Sequence, residues 1–373
     1  MAEQMIRFCG GHIGLTPELE EIAKEAICKA SERVDLYSQY GMIQGLPELR
    51  ETIIEKMGFD VSIENILITS SSQQALSLAF DSVKTRTKWI HEPAYFGAIR
   101  LLKGLDTRYT AKFHYKESPD FKNHIWPPFV CPSHPERHNL VYLTSNFHNP
   151  SGFSYAEEQK DDIAEMMDHD DNILIEDNPY DLLHYDNKMP NRIFDRIPDR
   201  TIFVGSLSKI TLPGLRIGYI MAKKDIIRKI RSEKITADLF TSTLNQIVAK
   251  ELLVHERYLD LLKKEFKERR DTCVASLDNL HLSMYGVEYT KPEGGIFLML
   301  TLPADVDQME FFSYAKHVGV ELEQDSFSHH DGKSRNNIRM NFAANDPETI
   351  RLGIENLKYA FGRLIWRQKG VTL

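Results

Sequence analysis

The feature that most constrains this chain is a rhythm in its middle, where short apolar runs alternate with stretches of helical periodicity. Asn65-Ile66-Leu67-Ile68-Thr69 reads as a strand, and Gln73 to Val83 as a helix with apolar residues at 75, 76, 79, 80 and 83. Further strands are predicted at Lys88–His91, Leu140–Thr144, Asn172–Glu176, Thr201–Gly205 and Gly218–Ala222, with a polar helix at Tyr155–Asp168. Buried strands separated by helices imply a mostly parallel sheet covered on both faces. Ligands of such sheets bind in loops at the carboxyl ends of the strands. Those loops are where chemistry is expected.

From Thr243 the pattern changes to long charged helices, through Leu280. Short strands at Gly286–Tyr289 and Gly295–Leu300, a helix at Asp307–Val318, a strand at Asn337–Phe342 and a closing helix from Asp346 follow. This reads as a distinct α+β lobe. The predicted division is a large lobe of residues 35–250 and a small one built from 1–34 and 251–373. Lys103–Asn139, with weak periodicity and Trp126-Pro127-Pro128, reads as irregular, and the charged run Lys263–Arg270 as the wet face of a helix.

Composition removes several classes. Lys and Arg total 46 against 54 Asp and Glu, a net charge of −8, so no overall basic field favours nucleic acid or an anionic membrane. Cys9, Cys28, Cys131 and Cys273 are far apart, which argues against a disulfide framework or zinc ribbon and suits a reducing compartment. MAEQMIRFCGGHIG lacks the apolar core of a signal peptide, and no run of roughly 18 apolar residues could span a bilayer. A cytoplasmic protein is expected.

Three clusters sit at predicted strand ends. Thr69-Ser70-Ser71-Ser72-Gln73 offers hydroxyls, backbone N–H groups and a helix's positive end, either a phosphate cradle or an ordinary N-cap. Glu176-Asp177-Asn178-Pro179-Tyr180 is either a cation ligand or a turn. Gly205-Ser206-Leu207-Ser208-Lys209, followed by Pro213-Gly214-Leu215-Arg216-Ile217-Gly218-Tyr219, holds a lysine that is either solvated or the amine of a Schiff base. Ser206-x-x-Lys209 also matches the S-x-x-K of serine β-lactamases, but the S-D-N and K-T-G that should accompany it do not occur. G-x-G-x-x-G, P-loop and H-E-x-x-H motifs are absent too. His329-His330-Asp331 lies in a polar loop and reads as solvated, so no metal is expected.

Together the clusters resemble fold type I pyridoxal-phosphate enzymes of the class I/II aminotransferase family, over nearly the whole chain. Gln39-Tyr40-Gly41, Glu92-Pro93-Ala94-Tyr95, Asn149-Pro150-Ser151-Gly152 and Asn337-Ile338-Arg339-Met340 match in order as well. The resemblance implies a large domain with a mostly parallel, seven-stranded sheet between helices, plus a smaller α+β domain. It implies pyridoxal 5'-phosphate as cofactor. Lys209 would form the Schiff base and shuttle the proton, Asp177 would pair with the pyridine nitrogen, and Asn149 and Tyr180 would bond the phenolic oxygen. Tyr95 would stack on the ring, and Ser71, Ser72, Gln73, Ser206, Ser208 and Arg216 would hold the phosphate. Arg339 would clamp the substrate α-carboxylate, with Gly11 and Asn149 beside it. Tyr40 would reach the site of a neighbouring subunit, implying a homodimer. One departure stands out: relatives often have glycine where this chain has Ser71.

The implied reaction is ping-pong amino transfer between an L-amino acid and an oxo acid. Cyclisation, elimination or oxidation of an amino acid would use the same cofactor residues, and the irregular Lys103–Asn139 keeps these alternatives open. A catalytically silent sensing domain is disfavoured by the acidic charge and by the lack of room for a DNA-binding half.

Overall fold

The structure, a computed structural model, describes residues 5–83, 87–105, 139–168, 172–186 and 188–368. The apolar runs form a sheet of β1 (Ile66–Thr69), β2 (Thr87–Ile90), β3 (Asn139–Leu143), β4 (Ile173–Asp177), β5 (Thr201–Ser206) and β6 (Gly218–Met221). Their order is β1-β6-β5-β4-β3-β2. β2 to β5 pair in parallel, whereas β6 is antiparallel to both β1 and β5. Seven strands were expected. Six lie among the described residues, and residues 106–138 of the segment read as irregular fall outside them. Apart from β6 the strands all point one way, so their carboxyl ends share an edge.

Alternation along each strand sends successive side chains to opposite cores. Leu140 and Tyr142 of β3 join Leu76, Ala79 and Phe80 of helix Ser72–Ser82 and Ile99 and Leu102 of helix Phe96–Leu105. Val141 and Leu143 instead join Ile163, Ala164 and Met167 of helix Glu157–Met167. Both faces are therefore covered, as the apolar runs required. No helix among the described residues is long and apolar enough to cross a membrane.

A second, antiparallel sheet contains β7 (Glu288–Tyr289), β8 (Phe297–Thr301), β9 (Glu323–Gln324) and β10 (Asn337–Asn341), in the order β9-β10-β8-β7. The N-terminal segment is tied to this lobe. Ile6 and Arg7 pair in parallel with Val320 and Glu321, and Asn341 N donates to Phe8 O at 2.7 Å.

Two sequence expectations need correction. The run Lys263–Arg270, within helix Tyr258–Asn279, is only partly wet, because Arg269 and Arg270 are buried. Arg269 Nη1 donates to the carbonyls of Gly14 at 2.7 Å and Ala343 at 2.6 Å, and Arg270 Nη1 to that of Pro292 at 2.6 Å. His329 is also buried rather than solvated, with Asp325 3.2 Å from one ring nitrogen and Glu92 3.5 Å from the other. Burial opposes its charge, but the two carboxylates outweigh that and raise its pKa. The cluster pins the loop after β9 to the loop that carries Tyr95. No group of three or more His, Cys, Asp or Glu among the described residues is placed to hold a metal.

Candidate active site

A cavity of about 360 Å³ opens where the carboxyl ends of the large sheet meet the small one. Its wall includes Ser72 and Gln73 after β1, Thr144 and Asn149 after β3, and Asp177 ending β4. Ser206, Ser208 and Lys209 enter from β5 and its loop, Gly10 and Gly11 from the N-terminal segment, and Arg339 from β10.

The acidic pair at the end of β4 divides between two jobs, because adjacent strand residues face opposite ways. Glu176 is fully buried and accepts from Ser145 Oγ, from Ile193 N at 3.0 Å and from Phe194 N at 2.7 Å. It holds loops together. Asp177 faces the cavity. Its Oδ2 accepts a 2.7 Å bond from the Tyr142 hydroxyl, while its buried Oδ1 has no partner among the described residues. Burial lifts the Asp177 carboxyl to about 7, with the Tyr142 bond pulling the other way. A buried, unpaired carboxylate oxygen is costly unless a donor meets it.

Lys209 Nζ donates to Gly11 O at 2.6 Å. Burial, and then the positive charges of Arg216 and Arg339, push its amine down to about 8. A minority, but far more than for an ordinary lysine, is therefore a neutral nucleophile near physiological pH.

The side of the cavity next to β1 is built for an anion. Ser72 and Gln73 open the helix Ser72–Ser82, whose amino end carries partial positive charge. Ser208 Oγ is buried without a partner among the described residues, and Arg216 adds a fixed cation. Ser71 does not line the cavity. It forms the turn, at φ 80° and ψ 165°, a conformation ordinarily reserved for glycine. A Cβ on Gly218 would overlap the Ser71 backbone, so β6 packs directly against this turn. Ser70 faces away from the cavity, bonding Asp238 at 2.8 Å, and the fully buried Lys234 binds the same Asp238 at 2.7 Å.

The opposite side carries Arg339. Its Nη1 donates to Asn149 Oδ1 at 2.8 Å, its Nη2 to Glu323 Oε2 at 2.5 Å, and its guanidinium lies 4.3 Å from the Phe297 ring centroid. Tyr180 is buried with its hydroxyl bonded to Asn149, and burial raises its pKa. Tyr95 donates to Gln73 Oε1 at 3.0 Å. Of the residues singled out from sequence, Tyr40 lies off the cavity wall, 85% exposed. Tyr142 and Glu323 were not singled out. Tyr142 looked like strand core, and the alternation Val320-Glu321-Leu322-Glu323 was the one trace of an acid on a strand.

The family signature described as aminotransferase class I and II matches residues 6–357. Aromatic-amino-acid aminotransferase 1 of Thermococcus litoralis is 32% identical over 351 residues, spanning 90% of this chain and 82% of its own. The α-aminoadipate aminotransferase of Thermus thermophilus, solved with N-(5'-phosphopyridoxyl)-L-leucine, is 26% identical with a TM-score of 0.82, covering 97% of this chain and 93% of its own. The kynurenine aminotransferase of Pyrococcus horikoshii, solved with PMP, is 28% identical with a TM-score of 0.82, covering 97% of this chain and 92% of its own.

Proposed function

This chain belongs to the class I and II aminotransferase family, and we propose that it moves an amino group between an L-amino acid with a free α-carboxylate and an oxo acid. It is a pyridoxal-phosphate-dependent transferase. The cavity fits that cofactor on its own chemistry: Asp177 Oδ1 and Ser208 Oγ are buried polar atoms of its wall without partners among the described residues, one suited to a cationic ring nitrogen and the other to a phosphate.

Bound here, pyridoxal phosphate supplies an aldehyde that exchanges amines and a protonated ring that draws electrons from the substrate Cα. Lys209 is the attachment amine, and afterwards the base that takes and returns the proton at Cα. Asp177, held in place by Tyr142, would accept a hydrogen bond from the ring nitrogen. Asn149 and Tyr180 would donate to the phenolic oxygen, and Tyr95 would lie against the ring. Ser72, Gln73, Ser206, Ser208 and Arg216 hold the phosphate on a turn set by Ser71. Arg339 takes the α-carboxylate bidentately beside Gly11, which fixes the orientation of the Cα–H bond toward Lys209.

We further propose that the protein acts as a homodimer. Tyr40 packs edge-on against Phe240, with ring centroids 6.0 Å apart, and Met42, Leu239 and Leu244 are exposed large apolar residues on neighbouring segments. Exposed apolar side chains of this kind suit burial against a second copy.

The observation that carries the reading is the meeting of Lys209, the unpaired Asp177 oxygen and Arg339 in one cavity. A single-turnover screen of the holoenzyme against the common amino acids tests it. Amino transfer predicts one oxo acid per site, identified by mass. A cyclised, eliminated or oxidised product would replace the proposed reaction while leaving the family unchanged.

A further inference from the structure

Glu323 is a carboxylate in the cavity wall that the amino-transfer reading does not use. It stands directly across from Arg339 in the antiparallel pairing of β9 and β10. Its Oε2 lies 2.5 Å from Arg339 Nη2 and accepts from Gly10 N at 2.7 Å, so it is held from two sides.

The charges around it can be apportioned. Among the described residues lining the cavity, the cations are Lys209, Arg216 and Arg339. Lys209 is committed to the reacting amine and Arg216 to the phosphate. Of these three, Arg339 is left to meet substrate carboxylates, and Glu323 already neutralises part of its field. One carboxylate can still bind: Nη1 donates to Asn149, and Nη2 to Glu323 and, at 3.5 Å, to Gly10 O, which leaves the Nε–H and one Nη1 hydrogen without a partner among the described residues. Among the described residues lining the cavity a second carboxylate would find no free cation, and the Glu323 charge beside Arg339 would oppose its entry, since like charges discriminate strongly.

Resting on the amino-transfer reading of this same site, we propose that Glu323 determines substrate class: the enzyme accepts amino acids whose side chain bears no carboxylate and rejects dicarboxylic ones. A simpler role is a cross-strand ion pair that only positions Arg339. The two roles part experimentally, since positioning affects all substrates alike and charge exclusion affects only acids.

The test uses holoenzyme and Glu323→Gln, whose amide oxygen can still accept from Gly10 and Arg339. Single-turnover constants are measured for the nearly isosteric pair glutamine and glutamate, and for 4-carbamoyl- and 4-carboxyphenylalanine. Binding of glutaramate and glutarate, followed by cofactor absorbance, reads the same discrimination without turnover. The wild type should favour each amide over its acid by about tenfold or more, and Glu323→Gln should shrink that ratio by about tenfold, mainly through tighter binding of the acid. A variant that weakens both members of each pair equally overturns the proposal, as does a wild type that takes acid and amide alike. If no amino acid turns over, amino transfer fails. The glutaramate-to-glutarate ratio then still decides for or against Glu323.

Discussion

Tyr142 donates a 2.7 Å hydrogen bond to Asp177 Oδ2, and the other oxygen of that carboxylate has no partner among the described residues. The two side chains come from adjacent parallel strands, β3 and β4. The tyrosine fixes the carboxylate's orientation, and burial keeps it half-ready for a proton or a cation, at about 7. A cationic ring nitrogen at Oδ1 is what would bring it down again.

This arrangement makes the cofactor-free protein sensitive to pH. The folded value of Asp177, about 7, lies above its ordinary 3.8, so its contribution is fully present below 3.8 and lost as the pH rises through 7. Asp177→Asn removes that loss. Urea denaturation should find the cofactor-free variant more stable than wild type at pH 8, by up to about 4 kcal/mol, with the difference closing toward pH 4. An equal difference at both pH values would mean that Asp177 ionises in the fold as freely as in water.

Lys209 should respond to Arg339 in the opposite sense. Its amine is held at about 8 by burial first and by Arg216 and Arg339 next. Arg339→Gln removes one positive neighbour, so the midpoint should move up toward the ordinary 10.5. The pH profile of amine-selective labelling, read at the Lys209 peptide, measures it. A midpoint unchanged or lowered in the variant would show that Arg339 does not act on Lys209.

Ser71→Gly should stabilise the chain. Serine at φ 80° and ψ 165° is strained by about 1–3 kcal/mol, while glycine's added freedom in the unfolded chain costs about 0.5–1 kcal/mol. The expected net gain is about 1 kcal/mol in the urea transition. Ser71→Ala, which keeps the Cβ, should show no such gain.

Exchange between subunits tests the role given to Tyr40. Lys209→Ala and a Tyr40→Ala variant are each expected to be inactive or nearly so, and mixing them should restore part of the activity through hybrid sites. Sedimentation should find a dimer. A fully active monomer would remove both the dimer and the composite site.

Much of this site could be read in the sequence because its parts end buried strands. Asp177 and Lys209 follow apolar runs whose burial dictates where the next loop emerges, and the observed β4 and β5 agree with those runs to within a residue. Tyr142 was invisible for the converse reason. It sits inside such a run, and only the side-by-side placement of β3 and β4 turns a core tyrosine into the partner of Asp177. Glu323 depends on the pairing of β9 with β10, and His329 on the carboxylate of Glu92, which lies far earlier in the chain. Local patterns report which residues are apolar at which period. They do not report which distant strand or loop arrives beside them.

The most direct measurement of the central claim is borohydride reduction of the holoenzyme followed by peptide mapping. The cavity geometry predicts one pyridoxyl group per chain, on the Lys209 peptide, with the neighbouring lysines unmodified. A label confined to any other lysine, or a protein that stays colourless after incubation with pyridoxal phosphate, would contradict the account.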